Sequence, residues 1–230
     1  MKISQKNRKI GYTYSSVSGN FSFRGEKTIS FESTLERDLL TSLEFDESVS
    51  DVIEQPVTIE YVNNNGKNTT YTPDFLVHYK TISTEYSAKE QRSRLIEVKP
   101  NFILRKKWET LKPKFKIAVA YAKQQGYTFH IYDESRLHSV YFGNVKFLIR
   151  YKRYHYSKDE NMRILDYINL VGHTPIDHLA LSLSPVKEQQ GITLAHIWYL
   201  LSIKKLGCNM QEPLSNQTVV WSNSEKMSDL

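Results

Sequence analysis

Only one cysteine, Cys208, occurs among the 230 residues, which excludes an intrachain disulfide and a cysteine-rich zinc site and suits a reducing compartment. Apolar residues never run together for the ~18 positions that a membrane-spanning helix needs, and the basic start is not followed by an apolar signal core. The expectation is a cytosolic chain with no membrane partner. The 7 histidines are scattered without metal-ligand spacing, and no internal repeat is visible. Bases are scarce in one stretch and acids in another: residues 28–62 hold nine acids against Arg37 alone, whereas 98–123 hold eight Lys or Arg against Glu109 alone.

What is present is ordinary for a folded domain: 40% hydrophobic and 24% charged residues, in a length that allows one large and one small core. The net charge of +6 and the pI near 9.1 favour a polyanionic partner. The segregation of charge says more than its sum. Clustered carboxylates suit a cation, and nearby bases suit phosphates.

Along the chain, residues 1–30 read as a basic N-terminal arm rich in Ser, Tyr and Gly. Ser33, with Glu36 three residues later, forms a capping-box pattern that opens a helix to Phe45, and Leu35, Leu39, Leu40 and Leu43 share one side of it. Strands are expected at 49–53, 57–62 and 71–79, the last two joined by a hairpin turn at Asn63–Gly66. A short strand at 95–99 ends at Pro100. A Lys-rich helix then runs over 104–125, kinked or divided at Pro113 and closed by Gly126, before strands at 128–132 and 141–150. This order predicts an α/β domain with a mixed sheet over residues 31–150. After a linker at 152–155, helical patterns at 161–171, 175–183 and 194–206 and a hairpin at 209–221, following a stop at Gly207, predict a small, mainly helical, winged-helix-like domain over 151–230.

Hydrolysis of a phosphodiester requires a Lewis acid, an activated water and a cation near the attacked group. Magnesium, a hard ion, prefers oxygen ligands. The matching groups are Glu36, Asp74 after Pro73, and Glu97-Val98-Lys99. Alternate residues of a strand share a face, so Glu97 and Lys99 point together while Ile96 and Val98 point away. If the strand of Asp74, which also carries Leu76 and His78 on that face, is its neighbour, the two carboxylates and the ammonium converge. Glu36 falls within the apolar arc of its helix, where a carboxylate is costly unless paired or bound to metal. The other reading has Glu36 folded back onto its own cap, and a side chain so bent cannot also ligate. The plainer readings of the rest are a turn aspartate after a proline and a solvated Glu–Lys pair. Arg105, Lys106, Lys107, Lys112, Lys114 and Lys116, with Trp108 among them, offer a surface for a DNA backbone or simply a solvated face.

The stretches Glu32-Ser-Thr-Leu-Glu-Arg-Asp-Leu-Leu, Leu43-Glu-Phe-Asp, Ile53-Glu-Gln-Pro-Val, Tyr71-Thr-Pro-Asp-Phe-Leu-Val and Ile96-Glu-Val-Lys-Pro resemble, in order and spacing, the N-terminal nuclease domain of TnsA proteins over about residues 30–135. The resemblance implies a restriction-endonuclease-like fold with a PD-(D/E)xK site using Mg2+, with Mn2+ as a substitute. It implies Glu36, Asp74, Glu97 and Lys99 as catalytic residues, the Val98 carbonyl as a further metal ligand, and Gln55 as a positioning group. It further implies a subunit that cuts double-stranded DNA at the 5' ends of a transposon, beside a DDE-type transposase subunit (TnsB-like) and an AAA+ regulator (TnsC-like). The rivals are a stand-alone restriction or junction-resolving nuclease of the same fold, a non-catalytic DNA-binding module and a structural scaffold.

Overall fold

Apolar residues that alternate along short strands, set between two amphipathic helices, give the N-terminal half its layers. The computed structural model describes residues 3–4, 17–63, 66–84, 87–89 and 91–223. It divides into two compact units, 1–137 and 138–230. The division falls earlier than the expected boundary near residue 150.

In chain order, the first unit contains β1 (Ile3–Ser4), β2 (Gly19–Phe23), β3 (Lys27–Phe31), α1 (Thr34–Phe45), β4 (Val49–Glu54), β5 (Thr58–Val62) and β6 (Asn68–Tyr71). It continues with β7 (Phe75–Tyr79), β8 (Ile82–Thr84), β9 (Ser87–Lys89), β10 (Arg94–Val98), α2 (Asn101–Gln124), β11 (Thr128–Tyr132) and α3 (Glu134–Leu137). The central sheet has the order β11-β10-β7-β4 and is mixed, with β10 and β11 parallel and the other neighbours antiparallel. This mixed α/β architecture is compatible with a restriction-endonuclease-like fold.

Register decides which side chains face which layer. Ile96 pairs with Phe75 and Leu95 with Leu76, so these pairs lie on opposite faces. Phe75, Val77, Ile96 and Val98 join Leu35, Leu39, Leu40 and Leu43 of α1 in one core. Leu76 and Leu95 join Leu111, Phe115, Ala118 and Ala122 of α2, with Ile59 and Tyr71, in the other. Complete burial of a side chain such as Leu40 or Ile96 contributes roughly 1.5–3 kcal/mol, so both faces hold the sheet in place.

Several expectations change. The stretch 19–31 is no arm: β2 and β3 form a hairpin whose Phe21, Phe23, Ile29 and Phe31 are buried in the core of α1. Ile3–Ser4 pairs with β5, and most of the rest of the expected arm, together with Asn64 and Asn65 of the expected turn, lies outside the described residues. The strand expected over 71–79 is two strands in different sheets, since β6 pairs with β5 whereas β7 pairs with β4 and β10. Pro73 sits at the switch because it has no amide to give to a ladder. In α2 the break is at Lys107 (φ −116°, ψ 19°) and not at Pro113. Pro113 lies in the second turn after that break, where its missing amide costs one hydrogen bond without dividing the helix. Gly126 (φ +75°) closes α2 as expected: Tyr127 N donates to Ala122 O (2.7 Å) and Gly126 N to Lys123 O (3.2 Å).

The second unit comprises α4 (Val140–Leu148), a 3-10 turn (Tyr151–Arg153), α5 (Lys158–Val171), β12 (His173–Pro175), α6 (Ile176–Leu183), α7 (Lys187–Ser202), β13 (Leu206–Cys208) and β14 (Val219–Ser222). Its antiparallel sheet has the order β12-β14-β13. The strand expected over 141–150 is the helix α4: Ser139 caps it, and Phe142, Val145 and Leu148 are buried at every third position, a helical period. This helix packs on α7 and so belongs with the second unit. Of the hairpin expected over 209–221, the first strand, β13, lies just before that span and the second, β14, closes it. The loop between them is held by buried Asn144, whose Nδ2 donates to Met210 O (3.1 Å) and Glu212 O (2.7 Å) and whose Oδ1 accepts from Leu214 N (3.1 Å). Gly207 is no stop but part of β13, where an added Cβ would lie 2.4 Å from the Trp221 indole nitrogen. Among the described residues no helix is long and apolar enough to cross a membrane.

Candidate active site

The switch at Pro73 leaves Asp74 in a bend at the head of β7, and continuing the register of β7 with β10 by one residue sets it opposite Glu97. Asp74 Oδ2 accepts the Val98 backbone N–H at 2.7 Å, and its carbonyl accepts the Gln55 N–H at 2.8 Å. Glu97 shares the face of Leu95 and is only 1% exposed. Its Oε2 accepts the Tyr71 hydroxyl at 2.8 Å, while its Oε1 meets Lys99 Nζ at 3.2 Å and Lys114 Nζ at 3.3 Å. Lys99 is anchored just beyond β10, where its N–H donates to Tyr132 O at 2.9 Å.

Charge is crowded here. Burial, and then the charge of Glu97, push the Asp74 carboxyl well above the usual carboxylate range; Glu36 adds to the rise, and Lys99 and the Val98 amide oppose it. For Lys99 burial disfavours the ammonium, but Glu97, Asp74 and Glu36 outweigh it and hold the group above the usual lysine value. That charge suits Lys99 to orienting a water or a phosphate. Burial, and then Glu97, likewise raise the Tyr71 phenol, which stays a donor.

Glu36 behaves differently from its partners. Its N–H donates to Ser33 Oγ (3.1 Å), its Oε1 accepts from Ser33 Oγ (2.8 Å), and its Oε2 accepts the Glu32 N–H (2.8 Å). Both oxygens thus serve the start of α1. Burial raises its pKa, the bonds from Glu32 N and Ser33 lower it, and the Lys99 charge also acts on it, so Glu36 lies within the field of the site without pointing both oxygens into it. Among the described residues no three His, Cys, Asp or Glu side chains gather closely enough to hold a metal ion.

Gln55 lies beside this cluster. It takes a left-handed backbone (φ +43°), its N–H bonds Asp74 O, and its Nε2 donates to Glu32 Oε1 at 3.4 Å. Such a conformation costs a non-glycine residue about 1–3 kcal/mol and persists only where the surroundings impose it. Gln55 thereby links the Asp74 bend to the start of α1. His78 is bonded to Ser93 Oγ at 2.8 Å and serves the sheet.

The sequence alone does not place Tyr71 or Lys114 at Glu97. Tyr71 lay inside the Tyr-Thr-Pro-Asp run, with nothing to mark its hydroxyl. Lys114 is no surface base like its neighbours on α2, since its ammonium meets Glu97 and lies 4.8 Å from the centre of the Tyr71 ring. A signal existed: Lys114 is three residues after Leu111 and four before Ala118, on the buried stripe of α2. Arg105, Lys106, Lys107, Lys112 and Lys116 are exposed.

Residues 46–134 match the family described as TnsA-like endonuclease N terminal. The match includes Gln55, Asp74, Glu97, Val98 and Lys99 and begins after Glu36. No curated protein matches the chain. With the fold, the paired carboxylates and the lysine in place, residues 46–134 are similar to the N-terminal domain of TnsA-like endonucleases.

Proposed function

We propose that this chain is the metal-dependent endonuclease subunit of a heteromeric transposase, hydrolysing phosphodiester bonds at the 5' ends of the element. The observation that carries the reading is the meeting of Asp74, Glu97 and Lys99 at the ends of two adjacent strands, inside the segment that matches the family. The donor set suits magnesium or manganese, because two carboxylates that repel each other in a buried setting have the electrostatic deficit that a hard cation relieves. Asp74 and Glu97 would hold the ion with the Val98 carbonyl, and Glu36 joins them only by giving up a cap hydrogen bond. A bound magnesium ion supplies Lewis acidity toward the phosphate oxygens.

The remaining work falls to the chain itself. The Val98 amide fixes Asp74, and Tyr71 fixes Glu97, so neither carboxylate must be ordered when DNA arrives. The Lys99 ammonium orients the attacking water and faces the charge that develops on phosphorus. Gln55 sets the Asp74 bend. Arg105, Lys106 and Lys107, exposed at the start of α2, contact the DNA backbone.

The second unit has the element order of a winged helix-turn-helix, helix-strand-helix-helix-strand-strand from α5 to β14. Its second motif helix, α7, carries Lys187 as its only Lys or Arg and buries His196, Trp198, Leu200 and Leu201. That scarcity of basic side chains suits a protein partner such as an AAA+ regulator better than a DNA groove lined by phosphates.

Strand-specific cleavage of a transposon-end duplex tests the reading, with Mg2+ or Ca2+, and with or without the DDE-type transposase and the AAA+ ATPase. Cutting of the 5' strands that needs Mg2+, needs the partners and disappears in Lys99→Ala is expected. Equal cutting by Lys99→Ala overturns the mechanism, and robust cutting without partners favours a stand-alone nuclease.

A further inference from the structure

Glu97 has one more cationic partner than the proposed chemistry uses. Its Oε1 meets two ammonium groups, Lys99 at 3.2 Å and Lys114 at 3.3 Å. Lys99 follows Glu97 on the same chain segment, and its backbone is tied to Tyr132. Lys114 reaches in from another element, α2, with its ammonium over the Tyr71 and Phe115 rings, 4.8 Å and 5.4 Å from their centres.

Drawing a lysine into such a place costs side-chain freedom and hydration. The return is a second compensating charge at a carboxylate that is 1% exposed. With two ammoniums on one oxygen, a divalent ion that approaches Glu97 Oε1 meets competition from both. Lys114 is the better placed to yield, because it comes from a neighbouring helix, whereas Lys99 lies two residues from Glu97 with its backbone tied to Tyr132. Tyr71, bonded to Oε2, keeps the carboxylate oriented during that exchange.

We infer that Lys114 is the internal counter-ion of Glu97, occupying Oε1 in the metal-free protein and competing with the divalent ion for it. This inference rests on the reading of the site as metal-dependent, and it makes metal occupancy a regulated property of the site. A loosely held ion is refused until DNA phosphates supply further ligands.

The test is calorimetric titration of the full chain with Mn2+ alone, without DNA. Lys114→Met keeps the stem among the aromatic rings and removes the charge, and it is expected to bind Mn2+ at least about tenfold tighter than the natural chain. Lys114→Arg, which keeps the charge, is expected to stay near the natural affinity. Lys116→Met, exposed two positions on, is expected to change nothing and controls for the general loss of a positive charge. No tightening in Lys114→Met, or equal tightening in Lys116→Met, overturns the inference while leaving the metal reading intact. Should Lys114→Met not fold, Lys114→Gln takes its place under the same criteria. If the natural chain and Asp74→Asn take up Mn2+ alike, or if neither they nor Lys114→Met bind it, the metal reading falls first and the counter-ion with it.

Discussion

The backbone N–H of Val98 donates to Asp74 Oδ2 at 2.7 Å, so one strand of the central sheet orients the acid at the head of its neighbour. The donor belongs to the residue between Glu97 and Lys99. Secondary structure and candidate chemistry are therefore joined by one bond, and distortion of the β7–β10 pairing disturbs both.

Asp74→Asn preserves an acceptor for that amide while removing the charge. Burial and Glu97 raise the Asp74 pKa in the folded state. A raised folded pKa means that the stability contribution is fully present below the unfolded value, about 3.9, and is lost as pH rises through the folded value. In a chelator, the stability gain of Asp74→Asn over the natural chain should thus grow as pH rises above about 4. Urea unfolding across pH 4–8 checks this, and saturating Mg2+ should shrink the difference. A gain that is flat with pH would show that Asp74 ionises without cost in the folded protein.

Tyr71→Phe keeps the ring against Phe115 and removes the hydrogen bond to buried Glu97. Loss of a donor to a buried carboxylate is expected to cost about 1.5–3 kcal/mol in metal-free unfolding experiments, because water cannot readily replace it. Cleavage should fall through kcat more than KM, as expected for a group that orients the carboxylate rather than holding DNA.

How much of this was legible in the sequence depends on the range of the signal. Ser33, Glu36 and the leucines of α1 lie within one helix, so cap and core face follow from local spacing, and Gly126 announces the end of α2 for the same reason. The common face of Leu95 and Glu97 follows from the two-residue period. Sheet membership is not local: the run from Tyr71 to Tyr79 is strand-like on both sides of Pro73, and only the partners of each half reveal that the two sides belong to different sheets. The β2–β3 hairpin was hidden because Ser, Gly and Asn dominate its surroundings, while its four core residues alternate over just two short strands. Lys114 was hidden by its own charge, although its place on the helical wheel was on the buried side.

Glu36 carries the sharpest disagreement between its local and long-range roles, and Glu36→Gln separates them. The amide oxygen can still accept one of the two cap bonds, so unfolding should shift by no more than about 1 kcal/mol. If the Glu36 charge is recruited to the cation, cleavage falls by a factor of about 100 or more, which is the expected outcome. Cleavage that falls only in step with stability would assign Glu36 to the helix cap alone.

In the second unit, Gly207→Ala forces a Cβ to within 2.4 Å of the Trp221 indole nitrogen and 2.8 Å of Asn223 Oδ1. Trp221 is Gly207's partner across the β13–β14 pair, so it cannot withdraw without disturbing the sheet. Destabilisation of about 1–3 kcal/mol is expected, read as a lower melting temperature. Trp221→Phe in the same background should recover part of the loss.

The exposed bases at the start of α2 make a different kind of prediction, because phosphate contacts are read through salt rather than through sequence. If Arg105, Lys106 and Lys107 each neutralise one phosphate, replacing all three with alanine removes three released counterions, and the slope of log K against log salt becomes shallower by about 2.7. Binding should weaken equally on transposon-end and unrelated duplexes, since backbone contacts carry no base information. Folding should be unaffected, because all three side chains are exposed. Fluorescence anisotropy on both duplexes from low to moderate salt provides the measurement. A slope that does not change would move the DNA surface off the start of α2 and leave these residues as a solvated helix face.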